Sequence, residues 1–189
     1  AHAGARPSHA EWQGRVFKIH GSSPDYPNFV DSTGYGSGSG LCGWNCRHSF
    51  YPFWPGISSP AYSKERLAEY DRAKYSYNGD MLTDYECSQI QRAYEREIRE
   101  IKRILSSYDA AMQESRSEAQ IQCIQEDFTS ESVKLKKKER ELKNFCNDTN
   151  RSYDSARTQV VAYKDSEGRI VNFGRSTAQK AVWANKKSN

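Results

Sequence analysis

The sequence predicts an α+β protein: a small loop-rich aromatic/β unit, then a long antiparallel helical hairpin, then a short β-hairpin and helix as a tail. Three observations carry this. All six prolines, nine of twelve glycines and three of four tryptophans fall in the first 60 of 189 residues. Proline removes a backbone donor and glycine loses the most chain entropy, so that segment forms no long helix, while its aromatics still require a packed interior. Between Tyr94 and Phe145 the apolar residues recur at alternating three- and four-residue steps, the signature of two amphipathic helices. Residues 159–173 then alternate around a glycine-containing turn, as a hairpin does.

The elements follow in order. Residues 15–20 (RVFKIH) alternate enough for one strand. Residues 34–40 (GYGSGSG) form a flexible or tightly turning loop. Trp12, Trp44, Phe50, Tyr51, Phe53 and Trp54 supply the core of this unit. Ser63 caps a helix running to about Tyr75, and Asn78-Gly79-Asp80 turns the chain. Thr83-Asp84-Tyr85-Glu86 reads as a capping box, in which hydroxyl and carboxylate each satisfy an orphan amide. Behind it run Tyr94, Ile98, Ile101, Leu105, Tyr108 and Met112. A second seam runs through Ile121, Ile124, Phe128, Leu135, Leu142 and Phe145, with Glu131 and Lys138 interrupting it. The polar stretch 113–118 between them predicts an antiparallel hairpin with Leu105 near Phe128. Residues 159–163 and 169–173 flank 164–168 as a β-hairpin, and 176–184 form a terminal helix. The segments are therefore 1–60, 61–150 and 151–189.

Composition narrows the class. A mean hydropathy of −0.94 and 28% charged residues are polar, yet 12% aromatics are too many for a disordered chain. No apolar run approaches the roughly 18 residues that span a bilayer, and no secretory signal pattern opens the chain, so no membrane partner is expected. The chain begins at Ala1, and a dense motif starts within ten residues, so we expect a fragment or processed product of a longer protein. Five cysteines, an odd number, argue for free thiols in a reducing compartment, the Cys42/Cys46 pair being the one exception to consider. Net charge is +4. Residues 151–189 hold eight basic against three acidic residues, so the excess sits there. Arg169, Arg175, Lys180, Lys186 and Lys187 are the candidate nucleic-acid contacts. The run Lys136-Lys137-Lys138 is answered by Glu139 and Glu141 and reads as a solvated helix face.

The chemically dense residues are Arg6, His9, Cys42, Cys46, Arg47 and His48. Three readings are open. Cys42, Cys46, His48 and His9 offer four ligands of the kind tetrahedral zinc takes, though the C-x3-C spacing is uncommon and an extended Cys-x-His would point its ligands apart. His9, Cys46 and His48 could instead form a thiol nucleophile with its base, although no local signature and no complete catalytic set accompanies them. The zinc-deaminase pattern fails, lacking a proline before the first cysteine and the two-residue spacing. The third reading, which composition favours, is a polar cluster of Arg6, His9, Cys46, Arg47 and His48 that pins loops together. All three require His9 within about 10 Å of Cys46. No cofactor is expected, zinc being the single candidate. No Gly-Lys phosphate loop or serine elbow is present, which leaves an enzyme the less favoured class.

These motifs resemble a family. Arg6-Pro7-Ser8-His9-Ala10-Glu11-Trp12-Gln13-Gly14-Arg15-Val16-Phe17, Tyr35-Gly36, Gly40-Leu41-Cys42-Gly43-Trp44-Asn45-Cys46-Arg47-His48-Ser49-Phe50-Tyr51-Pro52-Phe53 and Pro55-Gly56-Ile57-Ser58 look like the shared block of phage minor capsid proteins of the minor capsid protein 2 type. The likeness continues through Gln89-Ile90-Gln91-Arg92-Ala93-Tyr94-Glu95-Arg96-Glu97-Ile98-Arg99 and Lys102-Arg103. More distantly, Arg-x-x-His and Asn-Cys-Arg resemble the Mu-type head-morphogenesis domain. The resemblance implies the C-terminal portion of a minor head component of a tailed phage or prophage. Its implied partners are portal and capsid proteins, with DNA as a further one, and its implied places are the virion and, during assembly, the host cytoplasm. It implies no catalytic mechanism, and toxin-like domains attached to such blocks keep an effector enzyme as the alternative.

Overall fold

The computed structural model describes all residues except 162, 165, 169 and 189, and the side chains at 163 and 187. The candidate cation Arg169 thus lies outside the described residues, as does the side chain of Lys187. The fold is α+β, and the chain divides into two compact units, 1–88 and 89–189.

The first unit is built from short elements. Helices α1 (Pro7–Ala10) and α2 (Phe29–Thr33) are single turns, the first opened by Pro7 and the second capped by Asn28, which accepts from the Asp31 amide at 3.0 Å. Helix α3 (Lys64–Tyr70) is capped by Ser63 and ends at Tyr70, not Tyr75, because residues 75–82 form a hairpin instead. Strands β1 (Tyr75–Tyr77) and β2 (Asp80–Leu82) pair with Tyr77 opposite Asp80. Asn78 and Gly79 take φ of 52° and 92° between them, the left-handed pair that a two-residue hairpin turn demands. The strand expected at 15–20 is absent among the described residues. The backbone there makes an isolated bridge between Lys18 and Asn28, because the partner segment turns into helix α2 at Phe29.

The core of this unit is not the aromatic set expected. Trp44, Tyr51 and Trp54 are 78%, 60% and 59% exposed, and Phe50 is half exposed. Phe29 and Leu41 are buried instead, together with the polar residues His9, Gln13, Thr33 and His48. Phe29 gathers the rings of Phe17, Tyr35 and Phe50 at 4.8–6.3 Å. The reason is local: residues 34–46 consume their backbone in successive tight turns, and such a path leaves Trp44 lying over Gly38 with its outer face in water.

The second unit holds the helical hairpin. Thr83 and Glu86 close the capping box reciprocally, with Glu86 N–H on Thr83 Oγ1 at 3.2 Å and Thr83 N–H on Glu86 Oε2 at 2.8 Å. From there α4 (Asp84–Glu114) runs for 31 residues, and α5 (Glu118–Asp148) returns for another 31. The pairs Tyr94–Phe145, Glu97–Lys138 and Lys102–Glu139 show that the two run antiparallel. Ile98, Leu105, Phe128, Leu142 and Phe145 are almost fully buried along the seam. Leu105 and Phe128 are both fully buried. Lys138, an interruption of the apolar seam, is accommodated by ion pairs to Glu97 and Glu141 and by the ring of Tyr94. Lys137 also reaches Glu141, so the lysine run is an ion-paired face.

The tail packs on this hairpin. Arg151 bonds Gln91, Arg157 pairs with Glu95, and the buried Lys102 ammonium donates to the Thr158 carbonyl at 3.2 Å. A short antiparallel pair, β3 (Tyr163–Lys164) with β4 (Ile170–Val171), leads into α6 (Arg175–Lys187), longer at both ends than residues 176–184. On α6, Thr177 and Lys180 both bond the buried carboxylate of Asp109, and Asn185 donates to the Ser132 carbonyl at 2.9 Å.

Two outcomes follow. Leu105→Ala empties a fully buried site and should cost about 2–5 kcal/mol, read from the helical circular-dichroism signal in denaturant. Burial opposes the Asp109 charge, but the bonds from Lys180 and Thr177 and the Lys180 charge outweigh it and hold the carboxyl below its ordinary value. The unfolded carboxyl, near 3.9, therefore binds a proton first. Hairpin stability should be complete above about pH 4 and fall as acid titrates the folded group. In Asp109→Asn this part of the acid dependence should vanish.

Candidate functional site

Two loops build the site in the first unit. Helix α1 fixes His9, whose amide bonds the Arg6 carbonyl at 2.8 Å, and the following turn brings in Gln13 through its amide on Ala10. The second loop descends in three-residue steps. Ser37 bonds Gly34, Gly40 bonds Ser37, Gly43 bonds Gly40 and Cys46 bonds Gly43, each amide to the carbonyl three residues earlier at 3.0–3.3 Å. A β-carbon on Gly40 would stand 1.9 Å from the Gly34 oxygen, and one on Gly43 would stand 2.4 Å from the Gly38 oxygen. Only glycine permits that winding. It brings the Ser39 carbonyl and the Cys46 side chain to α1, while Arg6 donates to the Trp44 carbonyl at 2.7 Å and ties the loop's exit.

His9, Cys46 and His48 meet there. Cys46 Sγ lies 3.7 Å from His9 Nδ1 and 3.5 Å from His48 Nδ1, and all three atoms lie within 4.8 Å of one another. His9 is 3% exposed and His48 9%, while Cys46 is half-buried. The remote nitrogens are anchored. His9 Nε2 faces the Ser39 carbonyl at 2.9 Å, and His48 Nε2 faces Gln13 Oε1 at 2.9 Å. That Gln13 atom also receives the His2 amide at 2.6 Å; an amide N–H only donates, so the atom is oxygen. Both Nε2 atoms must then carry hydrogen, so in the neutral imidazoles both Nδ1 lone pairs face the sulfur.

Burial first, then the charges of neighbouring groups, lower the pKa of the His48 imidazole to about 4. It is neutral at pH 7. Trp12 covers both imidazoles, with ring centroids 4.7 Å from His9 and 4.9 Å from His48. His2 lies against His48 at 4.4 Å, and its Nε2 is buried without a hydrogen-bond partner.

Of the residues singled out from the sequence, the structure brings His9, Cys46 and His48 together and sets Arg6 beside them. Cys46 and His48 converge although only Arg47 separates them; the chain enters Cys46 from a left-handed Asn45 (φ 55°). Arg47 is exposed and not part of the cluster. Cys42 is exposed, and its thiol donates to the His48 carbonyl at 3.7 Å rather than joining the three. Cys42, Cys46, Cys123 and Cys146 form no disulfide. Gln13 and the Ser39 carbonyl went unrecognised in the sequence. Gln13 lies in the same motif, four residues after His9, and an amide able to accept from an imidazole is the signal that could have found it. A backbone carbonyl leaves no signal. In the tail, Arg175 and Lys186 are exposed, whereas Lys180 is committed to Asp109.

A model of the family Phage minor capsid protein 2 matches residues 1–147, and the chain belongs to that family. Two relatives are each named structural protein. That of Lactococcus phage LL-H is 35% identical over 107 residues, covering 54% of this chain and 26% of the relative. That of Lactococcus phage mv4 is 36% identical over 80 residues, covering 42% of this chain and 55% of the relative. The chain thus spans about a quarter of one and about half of the other. No solved structure matches.

The winding of 34–46 makes its own prediction. Gly40→Ala sets a methyl group against backbone that cannot step aside, and should cost about 3 kcal/mol. Denaturation followed by tryptophan fluorescence reads the first unit, where Trp12, Trp44 and Trp54 lie.

Proposed function

We propose that this chain is a minor structural component of a tailed-phage head, present in the virion, positioned near the portal, and docked on a neighbouring virion protein through its segment 44–57. Family membership supports the structural role. The observation that carries the docking is the crowding of Trp44, Phe50, Tyr51, Trp54 and Ile57, all exposed, within fourteen residues of an otherwise polar chain. Isolated monomers rarely hold so much large apolar surface in water, and a partner would cover it. Portal and capsid proteins are the proposed neighbours, met in the host cytoplasm during assembly.

Contact with packaged DNA is the finer part of the reading. Lys164, Arg175 and Lys186 are the exposed cations of the described tail, since Arg157 and Lys180 serve internal carboxylates. Three phosphate contacts imply a modest salt dependence, with a log–log slope of about −3.

Cross-linking of assembled heads, read by mass spectrometry, tests the position; cross-links from segment 44–57 to the portal protein are expected. The double variant Trp54→Ala, Ile57→Asp should fold normally and enter heads at a reduced level. Normal incorporation of that variant would refute the docking. Retention of the chain on DNA at low salt should be lost with rising salt, and absence of retention at any salt would remove the DNA contact.

A further inference from the structure

The cluster of His9, Cys46 and His48 poses a proton-counting problem. Two Nδ1 lone pairs face one sulfur, because each Nε2 hydrogen is already given to a carbonyl oxygen. A thiol has one hydrogen. It can satisfy one imidazole, and the other lone pair is left pointing at sulfur lone pairs in a partly buried place, which is unfavourable. A cation shared by the three atoms removes the conflict at once.

The two sulfur–nitrogen distances suit zinc. Tetrahedral zinc, with Zn–S near 2.3 Å and Zn–N near 2.0–2.1 Å, spaces neighbouring sulfur and nitrogen ligands roughly 3.5 Å apart. The observed separations are 3.5 and 3.7 Å. Histidine ligands in metal sites give their other N–H to a carbonyl or carboxylate, which fixes tautomer and ring; Ser39 O and Gln13 Oε1 do this here. We propose that His9 Nδ1, Cys46 Sγ and His48 Nδ1 bind one Zn²⁺, with the fourth position left to solvent and with Ser39 and Gln13 as the outer groups that orient the imidazoles. Zn²⁺ replaces the Cys46 proton, which passes to solvent, so the sulfur binds as thiolate. Cys42 is not a ligand, and neither is His2, since the three-atom cluster includes neither. The ion would join the 6–14 and 39–48 segments directly.

The rival reading of the same atoms is a thiol nucleophile, with His48 as base and the Gln13 amide holding it. That arrangement needs one imidazole. It gives the second, His9, with its lone pair on the same sulfur, no task. The rival also predicts an opposite chemistry at Cys46.

The full chain, expressed with zinc in the medium and purified without chelator, should carry one equivalent of zinc by elemental mass spectrometry. X-ray absorption should show one sulfur, two imidazole nitrogens and one oxygen. Cobalt exchanged into the site should give a thiolate charge-transfer band of one-sulfur intensity. Cys46→Ser should lose the metal and the band, while Cys42→Ser and His2→Ala keep them. Gln13→Ala should weaken zinc binding by about 10- to 100-fold while leaving the ligand set intact. Circular dichroism of each variant in its helical range identifies any that fail to fold, and Cys46→Ser, nearly isosteric, is the variant chosen to survive. Alkylation of Cys46 should be slow in the purified protein and fast once zinc is stripped. The assignment is overturned by a folded protein that neither retains zinc nor takes up cobalt, by loss of metal in Cys42→Ser or His2→Ala, or by a metal-free native protein whose Cys46 alkylates rapidly, which would favour the nucleophile.

Discussion

At Gly40 the chain passes so close to Gly34 that no side chain could stand between them, and the path from there to Cys46 follows from that contact. Each later turn starts where the previous one ends, at Gly40, Gly43 and Cys46. The winding fixes three things that would otherwise be independent: the Ser39 carbonyl under His9, the Trp44 carbonyl under Arg6, and the Cys46 sulfur between two imidazoles. A loop held by short backbone bonds is stiff without being apolar. That is why this unit can centre on His9, Gln13, Thr33 and His48 while Tyr35, Trp44, Phe50, Tyr51 and Trp54 remain exposed.

The second unit uses the opposite economy. Its interior is a seam of Ile98, Leu105, Phe128, Leu142 and Phe145, and burial of such side chains contributes roughly 1.5–3 kcal/mol each. Charge enters only where it is answered. Lys102 is buried against Glu139 and the Thr158 carbonyl, and Asp109 is buried against Lys180 and Thr177. Removing one member of such a pair leaves the other uncompensated, so these contacts specify how the tail lies on the hairpin more than they add stability. The tail's positive charge is consequently less available than its composition suggests. Several of its cations are spent inside the unit.

The two units therefore suit different roles within one structural protein. In the hairpin with its tail, the buried charges of Glu95, Lys102 and Asp109 are answered internally. The loop-wound unit keeps apolar side chains outward and a set of soft ligands inward. In the function proposed above, the outward aromatic surface would contact a neighbour, and an inward metal would fix the geometry that presents it.

Local rules written in the sequence determined much of this protein. The capping box at Thr83, the seams through Leu105 and Phe128, and the Ser63 cap depend on residues three or four apart, and the hydrogen bonds and burial they specify close within one helix. The meeting of His9 with Cys46 and His48 was legible for a related reason: a Gly/Pro-constrained segment with two polar motifs has few other ways to pack. Tertiary structure alone decided the rest. Whether Cys42 or Cys46 turned inward depended on left-handed backbone at Cys42 and Asn45, and composition does not encode the hand of a turn. That Gln13 and a backbone carbonyl would orient the imidazoles depended on contacts between residues 30 and 35 positions apart. Which tryptophans stayed in water, and which tail cations met Glu95 and Asp109, were likewise outcomes of long-range packing, where the free energy of a side chain is set by what arrives beside it rather than by its own chemistry.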